Sequence, residues 1–196
     1  MNRLFLEYQR RVAEVDYQQT FQYLCYHTPF GGMVKGAHRT MMRKMVKAKS
    51  QEIEMDFEER VLPGLKYGQR VGNIMGGSVL LSLLSTIDQG RFDSPKRIGC
   101  FSYGSGCCSE FYSGIVSPQG QEKLRQFRVE EQLNNRYHLT MEEYEELLVR
   151  SNEVKFGTRN VKLDLDLIPG AKSLSEDKGL LVLEEIHEFH RKYRWL

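Results

Sequence analysis

The sequence predicts an α/β fold in which strands alternate with helices and one helix is enclosed. Three observations carry this. Residues 74–87 contain no charged side chain and place apolar residues on every helical face, the pattern of a helix surrounded by protein. Residues 97–103, Arg-Ile-Gly-Cys-Phe-Ser-Tyr, carry apolar groups on both alternating faces, as a strand covered on both sides does. Residues 33–47 repeat Met33, Ala37, Met41 and Met45 against Lys35, Arg39, Arg43 and Lys47, two stripes about 200° apart on a helix. Buried helix, amphipathic helix and covered strand together make a layered architecture.

Each element has a local reason. Leu4, Tyr8, Val12 and Val15 recur at helical spacing over residues 3–15. Residues 21–27 are rich in aromatics and read as a short strand. Thr28-Pro29 ends it, because proline cannot donate to a ladder and turns the preceding residue from helix; Gly31-Gly32 extends the turn. The run Glu52, Glu54, Asp56, Glu58, Glu59 predicts a polar helix broken near Pro63-Gly64. Asn73 stands where a helix cap belongs, and Gly76, Gly77, Ser78, Ser82 and Ser85 let a neighbouring backbone approach. Gly104-Ser105-Gly106 closes the covered strand, and residues 108–116 form another. Thr140 and Glu143 make a capping box opening a helix to about residue 151. Residues 180–193 read two ways: Leu180–Leu183 as strand, Glu184–Arg194 as helix.

The 196 residues, 40% hydrophobic and 28% charged, have an ordinary globular composition and fit one domain over 1–196. Lys+Arg 28 against Asp+Glu 26 gives a net charge of +2, which argues against a global basic field for nucleic acid. No apolar run approaches the roughly 18–20 residues of a membrane span, and the first residues lack a signal peptide's apolar stretch, so a cytoplasmic protein is expected. None of Cys25, Cys100, Cys107 and Cys108 has CxxC spacing, against a zinc site or thioredoxin motif; no metal is expected, and each cysteine reads first as core packing.

Four places attract chemistry. His27 shares a strand face with Cys25; the two read either as a nucleophile pair or as a structural histidine beside a buried thiol. Asn73 reads as a cap or as an amide offered to a ligand carbonyl at a helix start. The Tyr103–Gly106 turn lies beyond a strand end, where α/β folds bind ligands, yet glycine turns are common and this one lacks P-loop spacing. From Gly31 to Ser50 there are six Lys/Arg and no Asp/Glu. That stripe is either a solvated face or a landing surface for phosphate or an acidic protein.

In combination, Tyr26-His-Thr-Pro-Phe30, Gly72-Asn-Ile-Met-Gly-Gly-Ser78 and Arg97-Ile-Gly-Cys-Phe-Ser-Tyr-Gly-Ser-Gly106 resemble 3-hydroxy-3-methylglutaryl-CoA synthases. Tyr23–Lys44, Phe101–Gly114 and Phe156–Val161 resemble the branch that acts on acyl carrier proteins in polyketide β-branching. The likeness implies the C-terminal half of a thiolase-like fold, with a mixed five-stranded sheet and a buried central helix, the first half being absent. It implies an acyltransferase: a cysteine is acetylated, a glutamate generates the enolate, and attack on a β-ketoacyl thioester forms a carbon–carbon bond. His27 matches the histidine that hydrogen-bonds the reacting oxygen, and Asn73 and Ser105 match substrate-binding positions. The nucleophile and base belong to the first half, and no cysteine here matches the nucleophile.

Primary-metabolism members carry phosphate-binding lysines five and nine positions after the histidine, where this chain has Gly32 and Gly36. That favours phosphopantetheine presented by an acyl carrier protein, with Lys35, Arg39 and Arg43 as the docking charges and no other cofactor. A homodimer is expected when the enzyme is complete, and self-association or a tight complex when it is not, since uncovered apolar layers associate. The competing readings are a CoA-dependent synthase of isoprenoid precursors and a non-catalytic carrier-binding module.

Overall fold

The computed structural model describes residues 1–104, 106–168, 170, 179 and 181–195. The chain divides into two compact units, Met1–Leu133 and Asn134–Leu196, where the sequence reading drew one domain over the whole length. The first unit is built on a mixed sheet of order β1-β2-β3: β1 (Tyr23–Tyr26) runs parallel to β2 (Lys96–Gly104), which pairs antiparallel with β3 (Cys108–Val116). The second unit has an antiparallel sheet of order β4-β5-β6 (Val161–Lys162, Leu181–His187, His190–Trp195). Among the described residues there are thus two three-stranded sheets rather than one of five. The second unit also corrects the helix reading of Glu184–Arg194, which is a hairpin; Leu180 lies outside the described residues.

β1 is buried on both faces because its side chains alternate between two cores. Leu24 and Tyr26 enter an aromatic-rich cluster with Phe5, Tyr17, Phe21, Val34, Met41, Met42, Phe57 and Phe101. Tyr23 and Cys25 enter a smaller cluster with Val79, Phe92, Ile98 and Cys100. The first cluster is closed by α1 (Asn2–Arg11), α2 (Gly31–Met41) and α3 (Ser50–Arg60), the second by α5 (Ser78–Gln89). The amphipathic helix of 33–47 is α2 followed by a π turn at Met42–Val46. Its buried side chains are Val34, His38, Met41 and Met42, while Met33 is 43% exposed. The core stripe is rotated from the predicted one, and a histidine sits in it.

α5 differs more from expectation. It is buried along one stripe, Ser78, Val79, Ser82, Ser85 and Thr86, and Leu80 on another face is 60% exposed. The small residues face inward because backbone passes close. A Cβ on Gly64, in the 3-10 turn Leu62–Leu65, would lie 2.7 Å from both Ser82 Oγ and Thr86 Oγ1. Buried hydroxyls need partners, and these have them: Ser85 donates to the Pro63 carbonyl at 2.6 Å and accepts from the Tyr67 N–H at 3.2 Å, and Thr86 donates to the Ser82 carbonyl at 2.9 Å. The turn leads into α4 (Lys66–Val71). α6 (Pro118–Arg125) follows β3, with Gln121 donating to the carbonyls of Ile87 and Gly90, and α7 spans Val129–Asn134. In the second unit α8 (Met141–Ser151) starts at the predicted capping box: Thr140 Oγ1 accepts from Glu143 N–H while the Glu143 carboxylate accepts from Thr140 N–H.

Candidate active site

His27 follows directly on β1 and its backbone N–H continues the ladder to the Phe101 carbonyl at 2.8 Å. The ring is half-buried. Its Nδ1 lies 3.2 Å from Ser78 Oγ, in the first turn of α5, and the same oxygen accepts from the Thr28 N–H at 3.1 Å. Tyr103, near the end of β2, packs its ring 4.5 Å from the imidazole at 58°, and the Tyr103 hydroxyl reaches Met33 Sδ at 3.2 Å. A strand end, a helix start and a neighbouring strand therefore set the ring's position, while no described residue hydrogen-bonds Nε2.

Beside it is a cavity of about 240 Å³ lined by Thr28, Pro29, Phe30, Gly31, Leu65, Gly68, Gln69, Gly72 and Asn73. Asn73 and the turn after His27 thus share one space, although they are over 40 residues apart in sequence. Asn73 does not cap α5, whose N-cap is Gly77. The Asn73 Oδ1 accepts from the Met75 N–H at 2.9 Å, holding the bend before the 3-10 turn Met75–Gly77. Ser105 lies outside the described residues.

Cys25 is not placed to serve as a nucleophile. It is 1% exposed, its Sγ lies 3.2 Å from Thr86 Oγ1, and burial pushes its thiol well above the ordinary range, which suppresses the thiolate. Cys100, its register partner on β2, is also buried, whereas Cys107 and Cys108 are exposed and are not core residues as the sequence reading had them. Among the described residues no cluster of three His, Cys, Asp or Glu could hold a metal ion, and no helix is long and apolar enough to cross a membrane.

The basic stripe is divided. Lys35 and Arg39 both reach the Glu54 carboxylate, at 2.5 and 3.3 Å, and the Lys35 ammonium, followed by Arg39, holds that carboxyl below its usual range. Arg43 is exposed on the π turn with no ion pair among the described residues. Sequence reasoning missed a further group. His38 is wholly buried, its Nε2 2.9 Å from Asp56 Oδ1 and its Nδ1 3.3 and 3.4 Å from the Tyr17 and Tyr26 hydroxyls. Arg60 donates to both Asp56 oxygens at 2.7–3.0 Å and to the carbonyls of Tyr17 and Phe21 at 3.0 Å. Burial of Asp56 opposes ionisation, but His38 and Arg60 outweigh it and hold the carboxyl below its ordinary value. A signal existed: His38 falls four residues after Val34 and Asp56 four before Arg60.

The half-buried imidazole at the end of β1, beside a cavity lined by the turn that follows it and by Asn73, belongs to an α/β layer of thiolase-like fold. The profile of the family described as hydroxymethylglutaryl-coenzyme A synthase C terminal matches residues 37–195, and the chain belongs to that family. It is 68% identical over 192 residues, 98% of its length, to the polyketide biosynthesis 3-hydroxy-3-methylglutaryl-ACP synthase PksG of Bacillus subtilis (strain 168), of which it covers 46%. The solved structure of PksG, a HMG-CoA synthase from Bacillus subtilis, superposes with TM-score 0.96 at 67% identity, covering 100% of this chain and 48% of that one. The HMG synthase of the curacin biosynthetic pathway, solved in complex with apo donor-ACP, superposes with TM-score 0.95 at 60% identity, covering 98% of this chain and 48% of that one. The chain thus spans about half the length of the relatives it matches.

Proposed function

We propose that this chain is the second half of a hydroxymethylglutaryl synthase, an acyltransferase that condenses an acetyl thioester with a β-ketoacyl thioester on an acyl carrier protein during polyketide β-branching. In this reading His27 donates a hydrogen bond to the reacting carbonyl oxygen, where negative charge develops. Asn73, on the cavity beside it, and Ser105 bind the thioester arm. A first-half polypeptide supplies the nucleophilic cysteine and the glutamate base. The phosphopantetheine arm arrives as part of the substrate, and no separate cofactor is invoked. Lys35, Arg39 and Arg43 face the acidic carrier, with Arg43 the strongest contact because Glu54 offsets the other two. The complete enzyme is a cytoplasmic homodimer that uses neither nucleic acid nor membrane.

The observation that carries the reading is the 68% identity to the PksG synthase across 98% of the chain. The exposed apolar residues Ile74, Met75 and Leu80 support a covering partner half. The test mixes the chain with a first-half polypeptide and follows carrier-bound product by mass spectrometry from acetyl- and acetoacetyl-carrier protein. Turnover is expected only in the mixture, falls by about 10²–10³ in His27→Ala, and is slower with CoA thioesters. Full activity of the chain alone, or of His27→Ala, overturns the assignment. A preference for CoA thioesters returns the enzyme to isoprenoid-precursor synthesis.

A further inference from the structure

We infer that Ser78 is a positioning residue that holds the neutral His27 ring as its Nε2–H tautomer. The inference rests on the proposed function only for its use, since the geometry concerns the ring itself. Ser78 is buried, so each of its polar atoms needs a partner. Its Oγ accepts from the Thr28 N–H at 3.1 Å. A serine hydroxyl has a single hydrogen, and among the described residues the only acceptor within reach of Oγ is His27 Nδ1, at 3.2 Å. Were Nδ1 protonated instead, two donors would point at one oxygen and the serine hydrogen would be stranded, a loss of about 1–3 kcal/mol for a buried polar group. The satisfied arrangement runs Thr28 N–H to Ser78 Oγ, then Ser78 O–H to Nδ1, which leaves the ring proton on Nε2.

This matters because Nε2 is the nitrogen that no described residue engages. A neutral ring in the other tautomer would present a lone pair there, repelling a carbonyl oxygen; in this tautomer it presents a donor. Tyr103, packed 4.5 Å away, restrains the ring plane, and the bond from Ser78 settles which nitrogen is the donor. The tautomer is therefore chosen by a residue 51 positions away in sequence, through a turn whose own backbone donor completes the chain.

Nitrogen-15 spectra of histidine-labelled chain in alkaline buffer test this, with the His27 signals assigned from His27→Gln. The wild type is expected to show the Nε2–H form, Ser78→Ala a mixture or the Nδ1–H form, and Ser78→Thr, which keeps the hydroxyl, the wild-type pattern. An Nδ1–H wild type, or a Ser78→Ala spectrum identical to wild type, overturns the inference. If Ser78→Ala does not fold, the wild-type tautomer and Ser78→Thr decide. With a first half added, Ser78→Ala should lower kcat about 10–100-fold, the range seen when the outer partner that orients a metal-bound histidine is removed, with KM little changed. Should the spectra behave as expected while His27→Ala keeps full turnover, the functional reading fails and the tautomer assignment stands.

Discussion

Two histidines eleven residues apart have opposite surroundings. His38 is enclosed: one nitrogen faces Asp56, the other two tyrosine hydroxyls, and Arg60 locks Asp56 in turn. His27 is half-buried, held on one nitrogen by a neutral hydroxyl, and its other nitrogen is engaged by no described residue. The difference teaches how to tell a histidine that builds the fold from one available for chemistry. A structural ring faces protein groups on both nitrogens, as His38 does with Asp56 Oδ1 2.9 Å from its Nε2, whereas a ring available for chemistry is fixed on one side and unsatisfied on the side where a ligand arrives.

The sharpest way to break this comparison is to remove Asp56. Asp56→Ala strands a buried guanidinium and a buried imidazole and should cost about 3–5 kcal/mol, as removal of one partner from a buried charged group does; urea unfolding measures it. A loss under about 1 kcal/mol would mean that His38 and Arg60 are not held through Asp56. His27→Ala should do the reverse. The unfolding midpoint stays close to wild type, while turnover of the enzyme completed with a first half falls by about 10²–10³, the cost of removing one donor to a developing oxyanion. Destabilisation comparable to that of Asp56→Ala would erase the distinction between the two rings.

Gly64→Ala tests the packing that brings α5 against β1 and so Ser78 against His27. A methyl group 2.7 Å from Ser82 Oγ and Thr86 Oγ1 should destabilise by about 1–3 kcal/mol, read by thermal unfolding. Acid titration is a gentler probe. The Asp56 carboxyl is held below its ordinary value of 3.8, so the unfolded chain binds its proton first as pH falls. The stability it contributes is complete above that ordinary value and is lost as pH drops through the lower folded value. Asp56→Asn should therefore flatten the decline of stability below about pH 4, measured by urea unfolding across that range. The smallest effect belongs to the surface. Glu54→Gln frees Lys35 and Arg39, should leave the unfolding midpoint unchanged, and should tighten binding of an acidic carrier protein in a titration at low salt; weaker binding would dissociate this stripe from the carrier.

Much of the framework was legible because it depends on near neighbours. The capping box at Thr140 and Glu143 is satisfied within four residues, and residues 108–116 form the strand expected from their sequence. His27 stood out as a strand end and Asn73 as a helix cap; Asn73 does not cap α5, yet one cavity is lined by both His27's turn and Asn73. The inward face of α5 was not legible. Counting apolar residues over 74–87 measures how much surface leaves water, yet it cannot say which face turns inward when a neighbouring backbone, at Gly64, comes too close for anything but hydroxyls. The His38 stripe escaped for a related reason: an imidazole reads as polar until the carboxylate that answers it, eighteen residues on, is seen beside it.

By itself the sequence determined the α/β class and the family, because these follow from local periodicity and from residue types in order. Only the tertiary structure decided which hydroxyl meets His27, which nitrogen of that ring it meets, and which cations of the basic stripe pair with Glu54. Those outcomes depend on directional bonds between groups distant in the chain, and a hydrogen bond's partner is settled by position in space, to within a fraction of an ångström, which residue order alone does not specify.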